Sequence, residues 1–97
     1  MTKIKIEQLI WDKWNTEHIK KHDVSREEVE EVIENVIAHR KGYDGRVILI
    51  GRSGKRIISI IIAKEKSGNY YIPTARDADR KDRKLVYEKE KEQNSKV

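Results

Sequence analysis

Cysteine is absent from this 97-residue chain, proline occurs once, and apolar side chains are scarce. Without cysteine the protein has neither disulfides nor thiolate metal sites, which fits a reducing cytoplasm. Hydrophobic residues make up 36% and charged residues 40%. No stretch approaches the roughly 20 consecutive apolar residues that a membrane helix needs. Met1 to Ile10 alternates charge with Ile and Leu and has no signal-peptide apolar core. These absences predict a soluble, cytoplasmic protein with no membrane partner. The single proline, Pro73, lies in an otherwise strand-like segment and marks a strand end or an edge position. A chain of this length makes one domain with a modest core.

Charge is plentiful and unevenly spread. The net charge is +5. Asp23 to Asn35 holds six acids and one arginine, whereas Arg40 to Lys66 holds eight bases and two acids. A dipolar surface with a basic face attracts polyanions.

The hydrophobic pattern predicts an α+β fold. Gln8 to Trp11 reads as a short strand or extended entry. Asp12 caps a helix to about Lys21, broken at His22-Asp23. Ser25 and Glu28 form a capping box, with Val24 and Val29 as its hydrophobic staple, for a helix to about Asn35 that buries Val29, Val32, Ile33 and Val36. The period then becomes extended. Val47 to Gly51, the β-branched run Ile57 to Ala63, and Tyr70 to Thr74 read as strands, joined by turns at Lys41–Gly45, Arg52–Lys55 and Lys66–Asn69. Short connections imply a three- or four-stranded antiparallel sheet. Asp77 or Asp79 caps a last helix that runs into a solvated, charged tail from about Glu88.

Several residues can carry chemistry. Arg76, Arg80, Arg83 and Tyr87 recur at spacings that place them within roughly a 60° wedge if helical. Guanidinium forks match phosphate oxygens and stay charged. Asp77, Asp79 and Asp82 lie between them, and Asp-to-Arg helix pairs would neutralise much of that stripe. Arg52, Lys55 and Arg56 place three further cations at one strand end. Gly51-Arg52-Ser53-Gly54 lacks the spacing and lysine-hydroxyl pair of a phosphate loop. Lys21 and His22 end the first helix, offering an ammonium and an imidazole able to exchange protons near neutral pH. His18 and His22 have metal-ligand spacing, but no third ligand is evident, so neither metal nor cofactor is expected.

Taken in order, Trp11-Asp12, Asn15, Lys21-His22-Asp23-Val24, Ile50-Gly51-Arg52 and Thr74-Ala75-Arg76 resemble the pattern of BrnT-type toxins, from about Trp11 to Tyr87. That resemblance implies a RelE-like fold and a metal-independent endoribonuclease toxin acting on mRNA, including ribosome-bound mRNA. It also implies neutralisation by an antitoxin, typically a ribbon-helix-helix DNA-binding protein. On it, Lys21 or His22 would transfer protons, and Arg52, Arg76 and Arg80 would hold the phosphate and its developing charge. Arg56 and Arg83 would bind flanking backbone, and Tyr87 would stack on a base or transfer a proton. The chain departs from the pattern in three places: Asp23 replaces a glycine, Asp77 replaces a base, and Val86 is inserted before Tyr87. The alternatives are a non-catalytic nucleic-acid-binding module and a protein-interaction domain of the same fold.

Overall fold

The computed structural model describes residues 6–66 and 68–94. Ser67 of the expected turn, the first five residues and the last three of the charged tail lie outside the described residues. The elements run β1 (Gln8–Ile10), α1 (Lys13–Lys21), α2 (Arg26–Glu34), β2 (Ala38–Lys41), a 3-10 turn (Tyr43–Gly45), β3 (Val47–Ser53), β4 (Arg56–Lys66), β5 (Asn69–Asp77) and α3 (Arg80–Asn94). None of the described helices is long and apolar enough to cross a membrane.

The architecture is α+β, but the sheet has five strands in the order β1-β5-β4-β3-β2 and is mixed. The short strand expected at Gln8 to Trp11 forms as β1, but outside the expected antiparallel set: it pairs parallel with β5 through Gln8–Asn69, Leu9–Tyr70 and Ile10–Tyr71. Its partner lies some sixty positions away, so only tertiary contact reveals the parallel pairing. β3 to β5 form the expected antiparallel meander, and β2, not among the expected strands, adds to it antiparallel on β3. Pro73 sits in β5 at a bulge, where Ile72 and Pro73 together oppose Ile62 between the pairs Ile61–Thr74 and Ala63–Tyr71. The missing N–H therefore falls where the ladder is already interrupted.

Alternation along the central strands splits the core in two. Leu49, Ile58, Ile60, Ile62, Ile72 and Ala75 face α1 and α2, packing on Ile19, Val24, Val29 and Val32. Ile48, Ile50 and Ile57 face the other way and meet Ala78 and Val86 at α3. Burying an isoleucine completely is worth about 1.5–3 kcal/mol, and five of the isoleucines on these strands are at most 1% exposed. Gly51 permits the close approach of β3 to α2. A Cβ there would lie 3.0 Å from Val32 Cγ1 and 3.1 Å from the Asn35 carbonyl oxygen.

Local chemistry sets the helix ends as the sequence predicts. The Asp12 carboxylate accepts from the Asn15 N–H at 2.9 Å, and the Asn15 side-chain oxygen accepts from the Asp12 N–H at 2.8 Å. Asn15 is fully buried, and its amide donates to the Ile10 carbonyl at 2.9 Å, fastening α1 to the end of β1. Ser25 and Glu28 close their capping box reciprocally. α1 ends with the Asp23 N–H on the Lys20 carbonyl and the Val24 N–H on the Ile19 carbonyl. That is the Schellman arrangement, with Ile19 and Val24 buried together beneath it. Asp23 occupies its left-handed position at φ 60°.

Candidate nucleic-acid interface

α3 begins at Arg80 because Asp79 caps it, its carboxylate accepting from the Asp82 N–H at 2.9 Å. Arg76 therefore belongs to β5, not to a continuous helical stripe. On α3, Arg80, Arg83 and Tyr87 still share a wedge of roughly 60°. The sheet-facing side of the helix carries Asp82, Leu85 and Val86. Val86 is completely buried and Tyr87 is 53% exposed. Val86 thus fills the core, and the phenol stays on the arginine side. Arg76, paired with Ser59 in the β4–β5 register, lies on the α3 side of the sheet and is exposed.

The acids between these arginines are committed elsewhere. Asp82 is fully buried. It takes Arg40 Nε at 2.6 Å, Arg40 Nη2 at 3.3 Å and the Ser59 hydroxyl at 2.8 Å. Burial alone would raise its pKa, but the hydrogen bonds from Arg40 and Ser59 and the charges of Arg40 and Arg76 outweigh it and hold the carboxyl below the usual aspartate range. Asp77 accepts from Arg56 Nε at 2.6 Å. Asp79 is the α3 cap. Among the described residues Arg76, Arg80 and Arg83 consequently have no hydrogen-bonded or ion-paired acid.

Arg52 and Arg56, the other two candidate arginines, are engaged. Arg52 lies on the α3 side and forms a bidentate pair with Glu90, at 2.6 Å and 3.0 Å. That bond, the larger cause, and the Arg52 charge hold the Glu90 carboxyl below its ordinary range against a smaller effect of burial. Arg56 lies on the opposite side of the sheet. Its Nε binds Asp77, its Nη1 reaches Glu28 at 3.0 Å and the Asp23 carbonyl at 2.6 Å, and its Nη2 reaches the His22 carbonyl at 3.2 Å. It ties the ends of α1 and α2 to the end of β5.

Lys21 and His22 are exposed at the C-terminus of α1, on the α1/α2 side of the sheet. No hydrogen bond or ion pair joins them to Arg76 or Arg80 among the described residues. The structure therefore gathers Arg52, Arg76, Arg80, Arg83 and Tyr87 on one side and sets Lys21, His22 and Arg56 on the other. The two sets converge around the end of β5, which has no outer strand beyond Tyr71 because β1 stops there. Arg56 spans that junction between the His22 carbonyl and Asp77, the chain neighbour of Arg76.

Two features escaped sequence reasoning. The Arg40–Asp82–Ser59 cluster joins three elements, and its only local sign is the spacing of Asp82 with Leu85 and Val86, which makes it a core-facing position. The second is a ring ladder on α1: Trp14 stacks on His18 with centroids 4.7 Å apart and planes 8° from parallel. His22 meets His18 edge-on at 5.5 Å.

No protein-family model matches this chain. Comparison with curated proteins likewise gives no significant match.

Proposed function

We propose that this protein is the toxin of a type II toxin–antitoxin system, a RelE-like, metal-independent endoribonuclease that cleaves mRNA and is neutralised by a ribbon-helix-helix antitoxin. The observation that carries its RNA-directed part is the set Arg76, Arg80 and Arg83, which have no ion-paired acid among the described residues and stand beside the exposed Tyr87 while the neighbouring aspartates are bonded elsewhere. Unpaired guanidiniums on a folded scaffold can bind a phosphate without first breaking an ion pair. The step from RNA binding to cleavage rests on the resemblance to BrnT-type toxins.

In the proposed reaction a 2′-hydroxyl attacks the adjacent phosphate. The O–P bond forms as the hydroxyl proton passes to a base. The P–O5′ bond then breaks as the leaving oxygen takes a proton, giving a 2′,3′-cyclic phosphate and a 5′-hydroxyl. Preorganised positive charge on the phosphorane is commonly the largest contribution in such a site, and Arg76 and Arg80 would supply it. Arg83 would hold the flanking backbone. Lys21 or His22 would reach the substrate around the end of β5, and Tyr87 would stack on a base or move a proton. Arg52 would join only on release from Glu90, and Arg56 would act by holding the α1 terminus in place.

A second reading, a non-catalytic RNA-binding module of the same build, is favoured by one observation. The imidazole of His22 and the arginine set belong to opposite sides of the sheet. RNA incubated with the purified protein in EDTA, with and without ribosomes and beside Arg76→Ala, separates the two. Cleavage that disappears in a folded Arg76→Ala protein is the expected result. Intact RNA in every lane removes the nuclease reading, and salt-dependent binding without new RNA ends would then identify the binding module.

A further inference from the structure

The ring ladder on α1 has no role in packing the core. Trp14 is 58% exposed, with His18 half-buried and His22 exposed beside it. Trp14, His18, Lys21 and His22 fall within about 100° of helix surface. They border the face that carries Asn15 and Ile19, the buried residues of α1. Near-parallel rings at 4.7 Å form a stack that one more planar ring can extend. Lys21 lies on the same surface and offers one ammonium group beside the rings, with Glu17 next to it.

We propose that Trp14, His18 and His22, with Lys21, form a stacking platform for the bases of single-stranded RNA. This deepens the RNA reading above and rests on it. A planar, polyanionic strand matches both halves of the surface: the bases find rings, and a phosphate finds the Lys21 ammonium. The platform is also continuous with the arginine set. Its His22 end meets Arg56, which holds Asp77 beside Arg76. A strand wrapping the open end of β5 would touch both sides of the sheet. The arginines would grip backbone, and the ladder would grip bases.

Tryptophan emission tests this directly. Trp11 is half-buried under Arg26, whose guanidinium carbon lies 4.9 Å from the ring centroid. In a Trp11→Phe protein, Trp14 is the sole tryptophan. Titration with a single-stranded RNA decamer is expected to quench its emission, whereas inorganic polyphosphate, a polyanion without bases, is expected to bind without quenching. Separately, Trp14→Ala and His18→Ala in the otherwise unaltered chain should each weaken RNA binding about fivefold or more and leave polyphosphate binding unchanged. Circular dichroism and melting temperature verify the fold. RNA that binds without quenching, and equally well to Trp14→Ala, overturns the platform and leaves the arginine reading standing. Quenching by polyphosphate alike overturns it too. RNA that fails to bind at all overturns the platform and the RNA reading together.

Discussion

Asp82 shows how one side chain can be misread when only its neighbours in sequence are visible. Between Arg80 and Arg83 it resembles a surface acid, yet it is fully buried and bonded to Arg40 and Ser59 on two different strands. Removing one partner of such a cluster leaves the others unsatisfied. Asp82→Ala is therefore expected to cost about 2–4 kcal/mol in urea unfolding, with the lower figure reached if water replaces the carboxylate at the partly exposed Arg40. A double-mutant cycle with Arg40→Ala should recover much of that loss as coupling. The same carboxyl makes stability sensitive to acid. Its pKa is depressed in the folded state, so its contribution is present above the unfolded aspartate pKa and disappears as pH falls through the lower folded value. Glu28 and Glu90 are depressed as well. Thermal melts are expected to lose stability progressively below about pH 5, and Asp82→Asn should flatten that slope.

At the scale of elements, the helices end where their local chemistry dictates, and one of those ends is suboptimal. Asp23 holds the left-handed position of the Schellman motif, which glycine adopts without steric cost. Its bond to Arg56 runs through the backbone carbonyl, so a side-chain change leaves that bond in place. Asp23→Gly is expected to raise stability by about 0.5–1 kcal/mol, read as a higher urea midpoint with an unchanged m-value. A lower midpoint would mean that the aspartate side chain makes a favourable interaction beyond its backbone geometry. The capping boxes of α1 and α2 and the α3 cap at Asp79 follow the same local logic. β1 does not, because three residues gain a strand's geometry only from a partner already in place.

For the molecule as a whole, the sheet acts as a partition. It carries α1 and α2 on one side and α3 on the other, and its alternating side chains assign each basic residue to a face. If Arg76, Arg80 and Arg83 each contact one phosphate of single-stranded RNA, each arginine should contribute about 0.7 to the slope of log K against log salt. Binding isotherms at several salt concentrations are then expected to lose about 0.7 of slope for each arginine replaced by alanine, and about 2 for all three. Arg56→Ala should instead act mainly on stability, because its guanidinium is spent on Glu28, Asp77 and two carbonyls. A slope unchanged in the triple variant would move the RNA contact off this face.

The helix starts, the turns, the β-branched central strand and the α+β class were legible because they depend on interactions within a few residues: a hydroxyl three positions from a glutamate, a glycine in a two-residue turn, a run of isoleucines. The candidate residues were legible as types. Their arrangement was not. Which acid neutralises which base is decided across the sheet: Asp77 by Arg56 from β4, Asp82 by Arg40 from β2, and Glu90 by Arg52 from β3. Helical spacing alone would have paired Asp79 with Arg83 and Asp77 with Arg80. The tertiary structure chose differently because a buried carboxylate requires buried or half-buried donors, and the strands supply them while the solvent-facing arginines of α3 do not.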